Sequence, residues 1–268
     1  NPYKEGHRKA YKFAMSGSPS AAGGSSVFMA HSIEAQTMAQ CGWDFKSTTS
    51  FITVQFWVKA SHAQTYQAAF QTPDAGRNYG WSFALAANTW TKVIQTVPGS
   101  SNLVFNNDTD NGLDLYIYAW MGSGYDNIPT ANSWIAYDGD EYSLPHNSGW
   151  LLSSSPTFEV TGVQIEVGKV ATSYEHRSPA TELQLCQRYY QRWGEQRQMW
   201  MTNVNGTDHR KLVYFPTSMR AAPTMNLYDQ SVDGSSVSAQ YVTTQGYVCR
   251  LNGNGRHAAW KHEADAQI

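Results

Sequence analysis

Charge is scarce in this chain. Lys, Arg, Asp and Glu make up 15% of its 268 residues, against about 25% in an average soluble domain. The 19 basic and 21 acidic side chains leave a formal charge of −2. There is no basic excess to neutralise phosphates, which argues against an electrostatic nucleic-acid binder. Cysteine is scarce too. Cys41, Cys186 and Cys249 are far apart, odd in number and form no CxxC pair. A disulfide framework or a structural zinc site is therefore not expected. No apolar run approaches the about 20 residues of a membrane-spanning helix, so no membrane insertion is expected. A signal-peptide pattern is missing as well. The chain opens on Asn1 rather than Met, as a fragment or processed chain would. No GxSxG elbow and no HExxH helix occurs, and the eight histidines are scattered, so nucleophilic hydrolysis has little support.

What is abundant is aromatic. Phe, Trp and Tyr reach 13%, with 10 Trp and 16 Tyr, alongside many Gly, Ser, Thr and Asn. That composition suits strands and polar turns. Ile52, Val54, Phe56 and Val58 share one parity between Phe51 and Lys59. Leu113, Leu115, Ile117, Ala119 and Met121 form a second apolar face, with Tyr116, Tyr118 and Trp120 opposite. Trp81–Leu85 and Trp90–Val97 are joined by AANT, a connection of hairpin length. Ser16–Ser26 reads as an early loop. Phe158 and Val160 share one parity and Val163, Ile165 and Val167 the other, so a β-bulge is expected at Gly162. Ser178 and Pro179 then supply an N-cap and a first helical residue. Leu183, Cys186, Tyr190 and Trp193 recur at helical spacing. Their face is expected to dock within the chain, with some contact between chains. Beyond the helix, Lys211–Phe215, Met225–Tyr228, Val237–Val242 and Tyr247–Leu251 are short strand candidates. Pro216, Asp233-Gly234, Gln245-Gly246 and Asn252-Gly253 punctuate them. The isolated core of this segment looks thin, and a closed homotrimer would bury more. The fold class read from these patterns is all-β: a jelly-roll β-sandwich, one short helix and a small C-terminal β-domain.

Three clusters could carry chemistry. Asp138, Asp140 and Glu141 lie within YDGDEY, yet sequence proximity does not place two carboxylates across a scissile bond, and a solvated acidic turn is the simpler reading. The turn NNDTDNG, Asn106–Gly112, alternates Asp108 and Asp110 with other oxygen-bearing residues. Asn111 and Ile117 stand where an EF-hand needs Gly and Glu, so an Asx turn competes with a structural calcium, and no cofactor or metal is expected. Aromatics give the best functional lead, because sugar rings present apolar C–H faces to flat side chains. Tyr116, Tyr118 and Trp120 project from a strand; Tyr125, Trp134 and Tyr137 follow in a loop rich in Asn, Asp and Ser. These six are glycan-binding candidates, against the alternative that they pack a second core. Trp57 and Trp81 are expected to be packing residues.

The run VTGVQIEVG, then ATSYEHRSPATELQLCQRYYQ, resembles the end of a β-sandwich module common in bacteriophage tail fibre and virion structural proteins. HSIEAQTMAQCGWDF, FITVQFWVKAS, AANTWTKVIQTVPG and NDTDNGLDLYIYA resemble such modules in the same order, covering Lys12 to Arg192. VYFPTSMRAAPTM and HEADAQI resemble the small β-domain that often follows. Tyr174 departs from the pattern, standing where the family has phenylalanine after proline, and Gly122–Trp150 resembles a lineage-specific loop. The resemblance implies a sandwich over residues 1–178, a connecting helix over 179–194 and a C-terminal domain over 195–268. It also implies a tail or capsid fibre protein on the virion surface, homotrimeric and non-catalytic. Its partners would be a host cell-surface polysaccharide and other virion proteins. A purely structural decoration or spacer is one alternative. A carbohydrate-binding module of a larger glycoside hydrolase or depolymerase is another.

Overall fold

The computed structural model describes residues 1–17, 20–200, 209–232, 236–251 and 257–267. The chain divides into two compact units, Asn1–His176 and Arg177–Ile268. In the first, the strands are β1 (Tyr11–Ala14), β2 (Ser26–Glu34), β3 (Phe51–Ala60), β4 (Gln64–Thr72), β5 (Arg77–Leu85), β6 (Thr91–Pro98), β7 (Asn111–Met121), β8 (Trp134–Ala136) and β9 (Thr157–Val167). They form two antiparallel sheets, ordered β1-β9-β3-β6 and β2-β7-β4-β5-β8. Successive strands repeatedly change sheet, which makes the unit a jelly-roll sandwich. Alternation explains the layer between the sheets. Ile52, Val54, Phe56 and Val58 enter it from β3; Tyr66, Ala68 and Phe70 enter from β4; Leu113, Leu115 and Ile117 enter from β7. Trp81 is wholly buried there. The short helices α1 (Ala35–Gln40) and α2 (Gly149–Leu152) add Met38, Trp150 and Leu151 to the same core.

β9 runs unbroken through the expected bulge. Its pairing with β3 steps from Gln55↔Gln164 to Trp57↔Thr161, so Gly162 and Val163 together face Phe56. Gly162 has φ of +62°, a left-handed conformation that glycine adopts freely. The extra residue reverses the phase, and Phe158, Val160, Val163 and Ile165 all pack on the core. The outer face of this sheet is covered by the chain ends of the unit. Trp57 Nε1 donates to Glu5 Oε2 at 3.0 Å and Gln55 Nε2 to the Thr172 carbonyl at 2.8 Å. The Trp57 hydrogen bond, helped by Lys92, holds the Glu5 carboxyl below its usual range. Tyr174 packs edge-on against His7 and His176, at 4.6 and 4.9 Å between ring centres.

The AANT connection is not a hairpin. β5 and β6 belong to different sheets, so the segment arches across the sandwich edge. Asn88 takes a left-handed φ of +56° in the arch and donates its N–H to the Ala60 carbonyl at 2.7 Å. Both strands bury core residues, and placing them in facing sheets lets Trp81 and Val93 share one apolar layer.

The second unit begins with α3 (Pro179–Gln187), capped by the Ser178 side chain, which accepts from Thr181 N. Two strand trios follow: β10 (Tyr190–Trp200), β15 (His257–Asp265) and β12 (Thr224–Val232) in one sheet; β11 (His209–Tyr214), β14 (Gly246–Leu251) and β13 (Val237–Thr243) in the other. The helix therefore stops well short of residue 194. Tyr190 and Trp193 lie in a strand, paired with Asp265 and His262. Pairing with β15 outweighs the helical spacing, and the aromatic run suits a strand. No residue of α3 is buried, so the expected docking face of Leu183 and Cys186 is solvent-exposed. Nor is the core thin. Val213, Phe215, Val237, Tyr247, Leu251 and Trp260 close a layer of their own. Within it Trp260 Nε1 donates to the Tyr247 oxygen at 2.9 Å, and that hydroxyl is hydrogen-bonded to His262 Nδ1 at 3.0 Å. Cys249 is buried, and burial pushes its thiol up to about 12; Cys41 and Cys186 are exposed, and all three are free. The Asp233-Gly234 and Asn252-Gly253 turns lie outside the described residues.

Gly162 provides the sharpest test of this architecture. A Cβ there would lie 2.5 Å from the His7 ring. The left-handed backbone alone costs a non-glycine residue about 1–2 kcal/mol. Gly162→Ala should lower the stability of the sandwich by at least that amount, seen as a fall in the denaturant midpoint at constant slope. An unchanged midpoint would show that the bulge does not set the phase of β9.

Candidate functional site

The outer face of the five-stranded sheet gathers four of the six aromatic candidates. Tyr116 and Tyr118 stand on β7 facing away from the core, stacked at 5.8 Å and 12°. Phe28, from the neighbouring β2, meets both edge-on at 5.4 and 5.8 Å. The loop over 122–148 folds back across this face. Asn78 Nδ2 donates to the Glu141 carbonyl, Gln67 Nε2 to the Pro145 carbonyl at 3.1 Å and Tyr118 Oη to the Tyr142 carbonyl at 2.8 Å. Ile128 and Leu144 pack on Ala69, Tyr118 and Met121. Gly80 permits the close seat, since a Cβ there would come within 3.0 Å of Ile128. The loop carries a second ring group: Tyr142 is met edge-on by Tyr125 at 5.6 Å and by Tyr137 at 5.5 Å.

Accessibility separates the candidates. Tyr125 is 39% exposed and Phe28 37%. Tyr116, Tyr137 and Tyr142 are half-buried. Tyr118 is 0% exposed, so the loop has sealed its ring from any ligand. Trp120 is not on this face at all. The pairing of β7 with β2 steps from Val27↔Trp120 to Phe28↔Tyr118, which makes Ala119 an extra residue. The phase flips there: Trp120, 4% exposed, joins the central core, while Met121 moves to the outer cluster. Trp134 lies on β8, half-buried against that core, with its ring 5.3 Å from Tyr79 and its Nε1 donating to the Pro98 carbonyl at 2.8 Å. Its hydrogen bond and one ring face are already engaged in packing.

Polar groups thread between the rings. Asp114, nearly buried, accepts from Asn111 Nδ2 at 2.7 Å and from the hydroxyls of Ser32 and Tyr116. Burial, reinforced by the Asp114 charge, raises the Tyr116 phenol above its usual range. Burial and a hydrogen bond with Tyr142 push Tyr137 up to about 12. Both phenols are thus neutral hydrogen-bonding groups at physiological pH. The acidic turn beside them is exposed or half-buried and locally bonded. Glu141 Oε2 accepts from Asp138 N, Asp138 Oδ1 from Gly139 N, and Asp140 Oδ2 from Asn127 Nδ2. In the Asn106–Gly112 turn, Asp110 N donates to Asp108 Oδ1 at 3.1 Å, an Asx turn. Among the described residues no group of three or more His, Cys, Asp and Glu could hold a metal ion, and no helix is long and apolar enough to cross a membrane.

Sequence reasoning missed Phe28, Tyr142 and Asp114. Phe28 alternates with Ala30 and Ser32 on one side of β2, a signal that could have placed it. Tyr142 directly follows the acidic run of Asp138, Asp140 and Glu141, and that local pattern carries no signal of a ring surface.

No family model and no curated relative matches the sequence. Among solved structures, one similar fold is wild-type discoidin II from Dictyostelium discoideum, at 12% identity and a TM-score of 0.23, covering 82% of this chain and 73% of that one. Another is a family 16 carbohydrate binding module, at 12% identity and a TM-score of 0.27, covering 58% of this chain and 74% of that one. The PBSX exported protein XepA matches at 8% identity and a TM-score of 0.24, covering 97% of this chain and 86% of that one.

His146 ties the loop to the sheet in a pH-sensitive way. Its backbone N–H donates to Asp126 Oδ2 at 2.7 Å and its ring meets Tyr118 edge-on at 5.7 Å. Neither ring nitrogen reaches a hydrogen-bond partner among the described residues, and burial pushes the imidazole down to about 3. The folded chain thus keeps His146 neutral down to about pH 3, whereas the unfolded chain takes up a proton near 6.5. Between those values the unfolded state binds the extra proton, so stability is intact above 6.5 and declines as pH falls. Between pH 7 and 4 this group should cost about 2–3 kcal/mol. His146→Phe should remove that part of the acid loss in denaturant titrations at the two pH values. Equal losses in both proteins would show that His146 is solvated.

Proposed function

We propose that the chain is a bacteriophage virion protein, of a tail or capsid fibre, that recognises a glycan on the host surface and does not cleave it. The observation that carries the binding reading is the ring surface on the outer five-stranded sheet. Phe28, Tyr116, Tyr137, Tyr142 and Tyr125 offer apolar edges and faces. Asn111 and the phenols offer hydrogen-bonding groups between them, with Asp114 holding Asn111 and Tyr116 from beneath. Sugars present this pairing of apolar C–H faces and hydroxyls. The virion assignment is supported by the sequence resemblance through VTGVQIEVG and LCQRYYQ. Binding without turnover fits the acidic turn, whose carboxylates serve as acceptors for neighbouring N–H groups. A structural spacer is favoured by one feature: Tyr118, Trp120 and Trp134 are all engaged in packing.

Two variants separate these readings. Phe28→Ala with Tyr125→Ala should lower adsorption to host cells or their purified polysaccharide about tenfold, while the thermal transition barely moves. Trp134→Ala should instead cost about 3 kcal/mol of stability, because it empties a packed position. Wild-type adsorption by the double variant would place the binding site off this ring surface, and no adsorption by either protein would leave the spacer reading standing.

A homotrimer belongs to the same proposal. Leu212, Tyr214 and Tyr241 of the second unit, and Leu183 and Leu185 of α3, remain exposed and available to a partner chain. Light scattering at micromolar concentration should give about three times the 29.9 kDa chain mass. A monomer at that concentration would remove this element.

A further inference from the structure

Basic residues are partitioned between the two sheets of the sandwich. Between Lys92 and Lys169 the sequence has no lysine or arginine. The four-stranded sheet carries Lys12, Lys59 and Lys92 on β1, β3 and β6. Of the strands in the five-stranded sheet, only β5 contributes a cation, Arg77. Arg77 shares its parity with Tyr79 and Trp81, which face the core, not with Asn78, which bonds the outer loop. Among the described residues of this sheet and its loop, the outer ring surface thus carries no lysine or arginine, while Asp114, Asp126, Asp138, Asp140 and Glu141 lie on or around it. Proximity is evident from the rings themselves: Asp114 is bonded to Tyr116, Asp140 follows Tyr137 by three residues and Glu141 immediately precedes Tyr142.

We propose, building on the glycan reading above, that this surface selects neutral or amine-bearing sugars and rejects anionic polysaccharides such as polyuronates. A uronate carboxylate placed over Tyr137 or Tyr142 meets several like charges within the about 10 Å over which salt leaves charges coupled at 0.1 M. Among the described residues of this sheet and loop it finds no Lys or Arg to pair with. A glucosamine-type ammonium in the same position meets only acceptors. Hydroxyls of a neutral sugar pay no charge penalty and keep the phenols and amides as partners.

The test is calorimetric titration of the whole chain at low and moderate salt with three oligosaccharide probes of equal length: a neutral glucan, a de-acetylated glucosamine oligomer and a polyuronate. The surface should bind the glucosamine oligomer at least as tightly as the glucan, with affinity falling as salt rises. The polyuronate should bind at least tenfold more weakly. Asp138→Asn with Asp140→Asn keeps side-chain shape and hydrogen-bond acceptors while removing two charges; it should raise polyuronate binding at least threefold and flatten the salt dependence for the amine. Equal binding of uronate and glucan, or no response to the double variant, overturns the selectivity while leaving glycan recognition in place. Glucan and glucosamine binding that survives Phe28→Ala with Tyr125→Ala places the site elsewhere and overturns both the assignment of binding to this surface and its selectivity. Binding of none of the probes, together with no adsorption to host polysaccharide, overturns the glycan reading itself.

Discussion

The sandwich depends on keeping one apolar layer continuous while its two longest strands change phase. A strand that alternates strictly for eleven residues commits every second side chain to one face. β7 and β9 each begin with one parity facing the core and finish with the other. An extra residue in each, Ala119 in β7 and Gly162 in β9, absorbs the change. Without the step at Gly162, Val163 and Ile165 would turn outward and polar residues would enter the layer against Phe56. Without the step at Ala119, Trp120 would leave the core. The two bulges are what allow the strands to run the length of the sheet and still cover both ends of the core.

The same device shapes the outer face. Turning Trp120 inward removes its indole from the surface on which Tyr116 and Tyr118 stand, and Met121 takes the vacated side. The loop over 122–148 then has an apolar anchor in Met121, Ile128 and Leu144, and polar anchors in Gln67 and Asn78. Held this way, it contributes Tyr125, Tyr137 and Tyr142 while sealing Tyr118. The ring surface is therefore a joint product of sheet and loop. Its charge character follows from where the lysines lie, on the strands of the opposite sheet, where Lys59 meets Glu159 at 3.0 Å and Lys92 meets Glu5 at 3.1 Å.

The second unit shows the opposite balance between local and long-range preference. Its helix starts where Ser178 and Pro179 dictate, because capping is a local interaction. It ends where β10 finds β15, because strand pairing offers Tyr190 and its neighbours a hydrogen-bonded partner that a further helical turn would forgo. The apolar spacing of Leu183, Cys186, Tyr190 and Trp193 is divided between an exposed helix and a paired strand. Its core likewise rests on residues distant in sequence, with Tyr247 from β14 joined to Trp260 and His262 from β15.

Sequence alone determined what alternation and capping encode. The β class, the inward parity of β3, the bulge at Gly162, the helix start at Pro179 and most strands of the second unit could be read from residue types and spacing, since each is decided within a few residues. It also named Tyr116, Tyr125 and Tyr137 among six glycan-binding candidates, with packing as the alternative, and the structure brings these three to one face with Phe28 and Tyr142. Only the tertiary structure decided that AANT crosses between sheets, that Trp120 turns inward and that Trp134 is committed to packing. It alone paired β10 with β15 and sealed Tyr118 beneath the loop. These outcomes depend on a partner strand or on a segment many residues away. An alternation pattern gives the parity of a side chain, whereas its accessibility depends on what the rest of the chain lays against it.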